Sequence, residues 1–533
     1  MAKNVKVSVH LRIKIGEISP RLYGAFLEPI GTMVNGSMYN PKHPTADKKG
    51  YSRDYLDALK ETGLPAVRLP GGNFLSGWSW KDSIGPMEKR KTMLDTAWYQ
   101  YYTNEIGHDE YLEWTQMIGA EPMYTINLGT NDLNDAMHLV EYTNHKGGSY
   151  WSDLRREYGK EAPYGVKTWY LGNEMDGPWQ VGSWQKDPRG YGVLSHEISK
   201  GIKWIDPKIE TIVCVSSSPF LGHYPQWDLE VLQECYSSVD YISLHHYHVA
   251  APGDYAALLG GSRHFENYIR TEIGLCDFMQ TKMRTSKKMM LSFDEYGSRF
   301  QELRRAMPGR NEIWEFNPDP ERQYVLHDPN DMEKTMLRRP QQPGDILGAV
   351  TSASTLLVLL RHADRVKIGC MTRGLGALAA SDRDHVWKSA SYYPFTQLMK
   401  YGRGISLRTA VECDSYDVPG YAIHQYFQYM DQEGIEYVES AAAYDETKGE
   451  LNVFVINKDW ENPRQLELDA ASFTGYDFVE HIQLYSDDLS AANSFENPNV
   501  VVPSVNTDAV FKDGKVTAEM QKISWNVFRF KRT

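Results

Sequence analysis

Cysteine is scarce. The chain of 533 residues has five, Cys214, Cys235, Cys276, Cys370 and Cys413, odd in number and with no CxxC pair. That pattern fits free thiols in a reducing cytosol better than a disulfide frame. No apolar run reaches the ~18 residues of a membrane span. The longest candidate, ILGAVTSASTLLVLL at 346–360, meets Arg361 and His362 at once and reads as a buried helix. The opening MAKNVKVSVHLRIKIGE has no apolar core of a secretion signal and alternates like a strand. A cytoplasmic protein is the expectation. Positive charge is also short. The net charge of −13 argues against nucleic acid or an anionic membrane as partner. No GxGxxG follows an early strand (RLPGGNF has only two glycines), and no GxSxG occurs. Nucleotide binding and a serine-hydrolase elbow lose their usual signatures.

Aromatics, in contrast, abound, with 14 Trp and 34 Tyr. Large cores account for them most plainly; a pocket that stacks sugar rings is the sharper account. From about residue 20 to 400 strand and helix patterns alternate. Strands are read at 21–28, 65–72, 121–129, 166–174, 209–217, 240–248, 287–295 and 364–372. Helices are read between them, such as 52–63 with Ser52 and Gly63 as its stops. Eight such pairs predict a (β/α)₈ TIM barrel, an α/β fold, with a doubly wound open sheet as the alternative. At 300–344 a charged, Pro-rich stretch predicts a long loop of the kind that covers active sites. Past 405 helices vanish, and alternating strands such as YAIHQYF and ELNVFVINKD predict a C-terminal antiparallel β-sandwich. The domain expectation is 1–18 as a strand joining that sandwich, 19–403 as the barrel and 404–533 as the sandwich.

Active sites of such barrels lie at the carboxyl ends of the strands. There the sequence places Glu28, Arg68 with Asn73, Asn127, Asn173-Glu174, His245 to His248, and Asp294-Glu295. A single Glu at a strand end is usually a cap or a solvated loop residue; the coincidence at several strands is what argues for a site. Two carboxylates in one cleft suggest glycoside hydrolysis, one as acid and the other as nucleophile or base. One conflict is visible beforehand: adjacent residues of a regular strand face opposite ways, so Asn173 and Glu174 cannot share the cleft without a twist or bulge. On strand six, period two puts Ser243, His245 and Tyr247 on one face and His246 and His248 on the other. That second pair could start a metal site, which would need a third ligand of fixed geometry; carboxylates nearby keep that reading open.

The stretches YLGNEMDGPWQ, RLPGGNFLSGWSWKDSIGP, TNEIGHDEYLEW, INLGT, HADRVKI, SYYPF…YGRG and KISWNVFR together resemble glycoside hydrolase family 51, the intracellular α-L-arabinofuranosidases. The resemblance spans nearly the whole chain in order. It implies Glu174 as general acid/base and Glu295 as nucleophile of a retaining exo-glycosidase. It implies Glu28, Arg68, Asn73, Asn173 and Tyr247 as groups holding the furanose, with Trp98 near the pocket mouth; His245 joins them from strand six. It implies a small oligosaccharide as substrate, no cofactor and no metal, and a homo-oligomer, a hexamer. Three departures stand out. Tyr296-Gly297 replaces the family's usual Trp-Asn, Arg373 stands where a glutamine commonly touches the sugar, and the loop after strand six differs. Another furanoside, such as a galactofuranoside or a modified sugar, is therefore a second reading. A catalytically silent carbohydrate-binding protein is a third.

Overall fold

The computed structural model describes residues 3–301, 323–326, 344–424 and 427–533. Eight parallel strands close into a barrel. In chain order they are strand one, Gly24–Phe26; two, Ala66–Leu69; three, Glu121–Ile126; four, Thr168–Leu171; five, Glu210–Cys214; six, Tyr241–Ala250; seven, Met290–Phe300; and eight, Val366–Met371. Strand one is shorter than predicted. Pro20 opens a 3₁₀ turn over Pro20–Tyr23 whose first amide, from Arg21, is capped by the Ser19 side chain at 3.3 Å, and the strand begins only after it.

Inside the barrel Phe26, Ala66, Met123, Tyr170, Ile212, Ile368 and Cys370 form a buried plug. Its lower end is closed by Arg21, which pairs with Glu121 at 2.6 Å and Glu210 at 2.7 Å. The plug is the floor on which the strand ends stand. Outside, the helix Ile346–Arg361 is apolar nearly all round because it is enclosed on both sides. It packs on the barrel, and its Ser354 Oγ donates to Glu439 of the C-terminal sheet at 2.9 Å.

That sheet has ten strands, and Lys3–Glu17 lies inside it, antiparallel to Ile405–Glu412 and parallel to Arg464–Asp469. One parallel pair thus interrupts the expected antiparallel order. YAIHQYF also departs from expectation. Among the described residues Tyr421–His424 pairs only with Phe427–Tyr429, in a small separate sheet that leans on strand six. There Val249 N donates to the Tyr429 hydroxyl at 2.9 Å, and the Tyr421 hydroxyl donates to Val249 O at 3.0 Å. Alternation signals a strand but not its partner. Of the predicted loop 300–344, residues 302–322 and 327–343 lie outside the described residues. Within it, Val325–Leu326 adds in parallel to the strand Gln100–Tyr102. Among the described residues no helix is long and apolar enough to cross a membrane.

Candidate active site

Arg68 on strand two is the hub. It is fully buried, its guanidinium between the rings of Phe26 and Tyr170, 5.0 and 4.9 Å from their centroids. A buried guanidinium must find anions or carbonyls for its donors. Nη1 donates to Glu295 Oε1 at 2.9 Å, Nη2 donates to Asn173 Oδ1 at 2.6 Å, and Nε lies 3.1 Å from Asp294 Oδ2. Removing one partner of such a buried set would cost about 3–5 kcal/mol.

Both neighbours at the end of strand four reach the cleft, and the backbone explains how. The strand stops at Leu171, Gly172 turns at φ +100°, and Glu174 itself sits at φ +46°. A non-glycine residue there carries strain of about 1–3 kcal/mol, which surrounding contacts must over-determine. Gly177 N returns to Glu174 O at 2.8 Å, and Trp179 Nε1 donates to Glu174 Oε2 at 2.6 Å. At strand seven the device is a bulge. Phe293 pairs with Leu244 and Glu295 with His245, so Asp294 is an extra residue between them. Asp294 and Glu295 therefore both point inward, while Phe293 and Tyr296 point out toward Phe265.

Strand six faces as its period requires. Ser243 Oγ donates to Asp294 Oδ2 at 2.9 Å, and the Tyr247 hydroxyl donates to Glu295 Oε2 at 2.7 Å. His245 stands between the carboxylates, Nδ1 at 2.9 Å from Glu174 Oε1 and Nε2 at 3.3 Å from Asp294 Oδ2. His246 and His248 point away, stacked behind the strand near Phe265 and Tyr429. The donor atoms of Glu174, His245 and Glu295 all lie within 4.8 Å of one another. Among the described residues this is the one group of three that could hold a cation, and a metal would first have to take the proton from His245.

Glu28 lines the other wall. Its Oε1 accepts from Trp98 Nε1 at 2.6 Å and Phe74 N at 3.2 Å. Burial, with the charge of Glu295 adding to it, lifts its carboxyl to about 8. Of the two glycines of RLPGGNF, Gly71 makes room for the Phe26 ring and Gly72 for this wall. A Cβ at Gly72, where φ is +74°, would lie 1.9 Å from Glu28 Cδ. Gly72→Ala is expected to displace Glu28, lower kcat/KM more than tenfold and cost about 1–3 kcal/mol. Steady-state kinetics beside a thermal melt checks both. Asn73 Oδ1 receives Gln180 Nε2 and, at 3.5 Å, Asn173 Nδ2. Asn127, in contrast, spends its amide on holding loops together, donating to Trp78 O beyond strand two and to Thr130 of its own loop.

Of the ten residues singled out from sequence, nine form this connected set: Glu28, Arg68, Asn73, Trp98, Asn173, Glu174, His245, Tyr247 and Glu295. Arg373 stands exposed just beyond strand eight. Its neighbour Thr372 shares a hydrogen bond of 2.8 Å with the Tyr247 hydroxyl. Asp294, read from sequence only as a strand-end neighbour of Glu295, is the inner carboxylate, and two participants carried no sequence signal of their own: Thr372, and Trp179 as the donor to Glu174. Trp179 lies in the GPWQ end of a motif already singled out.

The electrostatics couple these groups. Burial works against a charge on His245, but Glu295, Asp294 and Glu174 together lift it to about 10. Burial would likewise raise Glu174, yet the bond from His245 holds it below the ordinary range. Glu295 sits above that range, burial and Glu174 outweighing His245, Arg68 and Tyr247. Arg68 and His245 thus face three carboxylates, a net charge of −1. A proton moving from His245 to Glu174 leaves that sum unchanged.

The profile described as "Alpha-L-arabinofuranosidase 1 domain" matches residues 58–270, and that of the "Alpha-L-arabinofuranosidase C-terminal domain" matches 294–524. The intracellular exo-α-(1→5)-L-arabinofuranosidase 1 of Bacillus subtilis is 36% identical, covering 99% of both chains. The chain belongs to glycoside hydrolase family 51, the α-L-arabinofuranosidases. It is a glycoside hydrolase. An exo-α-(1→6)-L-arabinofuranosidase of Bifidobacterium longum is 29% identical over 97% of this chain and 95% of its own. The solved structure of a family 51 α-L-arabinofuranosidase from that organism superposes with a TM-score of 0.83 at 28% identity, covering 99% of this chain and 100% of its own.

Proposed function

We propose that the protein is a retaining, exo-acting α-L-arabinofuranosidase that removes terminal non-reducing arabinofuranosyl residues from hemicellulose- or pectin-derived oligosaccharides. One observation carries the reading. Carboxylate oxygens of Glu174 and Glu295 come within 4.8 Å at the ends of strands four and seven. A separation of about 5–5.5 Å suits direct attack and a covalent intermediate, whereas inversion needs about 6.5–9.5 Å for an intervening water.

In this reading Glu295 attacks the anomeric carbon. Arg68 and Tyr247 hold its two oxygens and keep one lone pair aimed. Glu174 protonates the departing oxygen with the proton that His245 holds 2.9 Å away in the free site. The glycosyl–Glu295 ester forms, and Glu174, now ionised, takes a proton from water as that water opens the ester. The net −1 of the site favours the positive charge that develops at the anomeric carbon. Asn173, oriented by Arg68, is set to bond the sugar 2-hydroxyl; Glu28, Asn73 and Trp98 hold the far side of the ring. The catalytic unit in this reading is 19–403, with 404–533 and residues 1–18 as the sandwich. An intracellular place and a homo-oligomer, hexameric by family resemblance, complete the proposal.

Another furanoside is the second reading, and it has its own support. Gly297 lies on the Glu295 face, and among the described residues nothing comes within 4 Å of where a side chain there would begin. Arg373, a fixed positive charge, stands exposed just past the end of strand eight. Tyr296 does not contribute, being buried on the outer face of strand seven. The test is a panel of aryl furanosides with 1→5- and 1→6-linked arabino-oligosaccharides, read as released sugar. Arabinofuranosides should lead in kcat/KM; a galactofuranoside leading would replace the first reading with the second. In the same panel, Arg373→Gln should change the ratio between arabinofuranoside and a bulkier furanoside by about 5- to 150-fold, the equivalent of about 1–3 kcal/mol. A ratio within about twofold of the parent removes Arg373 from specificity.

A further inference from the structure

Two residues beyond Glu174 stands Asp176, wholly buried and outside the cleft. Its Oδ2 accepts three donors: Ser217 N at 3.0 Å, Ser217 Oγ at 3.2 Å and His223 Nε2 at 2.9 Å. Ser217 lies just past strand five, and His223 precedes the helix Gln226–Cys235. One carboxylate thus ties the turn after strand four to the loop after strand five. That turn holds Glu174 at φ +46°, which costs energy and needs an external hold. The bonds of Gly177 and Trp179 lie within the turn itself and would move with it. Asn173 and Glu174 reach Arg68 and His245 across the cleft, and Asp176 ties the turn on the side away from it, to the end of strand five.

A second layer stands behind the anchor. Asp228 Oδ1 accepts from Ser216 N at 2.7 Å and Ser216 Oγ at 2.6 Å, and the Ser216 carbonyl accepts from the Tyr268 hydroxyl at 2.5 Å. Glu272 faces Asp228 and Tyr224, and neither of its oxygens has a hydrogen-bond partner among the described residues. Burial lifts Glu272 well above the carboxylate range. It lifts Asp228, against the Ser216 bonds and with the charge of Asp176 adding, to about 7. Both carboxyls of the pair behind the anchor are thus shifted toward their protonated forms, while Asp176 Oδ2 faces the His223 ring. The cluster is no three-donor cation site, since its donors do not converge within 4.8 Å as those of the cleft do.

We propose that Asp176, held by Ser217 and His223, is a positioning residue for Glu174, fixing the left-handed turn that presents the acid/base carboxyl to His245 and to the departing oxygen. The inference rests on the reading of Glu174 as acid/base. A small displacement of a reacting group can cost about 10²-fold, and the loss should fall where proton donation limits the rate.

Asp176→Asn keeps an oxygen acceptor and removes the charge; His223→Gln keeps a donor and removes the imidazole. Each should lower kcat on arabino-oligosaccharides about 10- to 100-fold. Each should change kcat/KM on an activated dinitrophenyl furanoside, which reads formation of the glycosyl ester without help from an acid, by less than about threefold. Equal losses on both substrates, or a lowered melting temperature with no kinetic loss, mean a merely structural role and overturn the proposal. If Asp176→Asn does not fold, the His223→Gln result decides by the same criterion. Glu174→Ala is run beside them. If it shows no difference between the two substrates, the acid/base reading falls and the anchor with it. If it shows the difference and neither anchor variant does, the anchor alone is wrong.

Discussion

Glu295→Ala is expected to lower turnover on the order of 10⁴-fold or more, the scale seen when a nucleophile acting as part of a unit is removed. The reason lies in what remains. Arg68, Tyr247 and Glu174 keep their places, but no oxygen stands below the anomeric carbon. Truncation leaves a space lined by Arg68 Nη1 and the Tyr247 hydroxyl, the two donors that held the carboxylate at 2.9 and 2.7 Å. A small anion fits such a space. Azide should restore turnover of an activated aryl furanoside and give the glycosyl azide of inverted configuration, because it attacks from the nucleophile's side and nothing attacks twice. Proton NMR of the product reads the anomer. Rescue that yields the retained azide would mean that Glu295 is not the nucleophile.

Glu174→Ala should produce the next largest effect, and an uneven one. A positioned acid contributes about 10²–10⁴-fold, and only where the leaving group needs the proton. Turnover of arabino-oligosaccharides should fall by that range. An activated aryl furanoside should form its glycosyl–enzyme ester almost as fast as before and then stall, since water has lost its base. A pre-steady-state burst of aryl alcohol followed by slow turnover is the expected trace. Azide should speed the second phase and give the product of retained configuration, opposite to that from Glu295→Ala. Equal losses on both substrates, without a burst, would count against the role.

How much of this was legible beforehand depends on what the chain writes locally. The apolar runs ending on Glu174 and Glu295 announced both strand ends, because a parallel strand buried on both faces has little alternative to such a run. The split of strand six into Ser243, His245 and Tyr247 against His246 and His248 followed from period two alone. The bulge at Asp294 was not legible, since an extra residue in a ladder is defined by its neighbour, here the pairing of Phe293 with Leu244 and Glu295 with His245. The turn at Glu174 was half-legible. Gly172 and Gly177-Pro178 marked a break, but which residue would take positive φ depends on Trp179 and on Asp176, whose partners lie 41 and 47 residues away. Strand one was overextended because Pro20 and Ser19 start a short turn inside an otherwise strand-like run. The small sheet at Tyr421–Tyr429 was missed for a similar reason. Its hydroxyls bond Val249 N and O, a contact no alternation of polar and apolar residues encodes.

Trapping the intermediate tests the central claim most directly. A 2-deoxy-2-fluoro aryl arabinofuranoside slows both steps but lets an activated leaving group depart. After incubation, intact-protein mass spectrometry should show one added glycosyl unit. Peptic mapping should place it on Glu295, within the peptide around KMMLSFDEYGSRF. The label should chase off when a transglycosylation acceptor is added. A label on Glu174, or no covalent adduct from a protein that releases product of inverted configuration, would contradict the account.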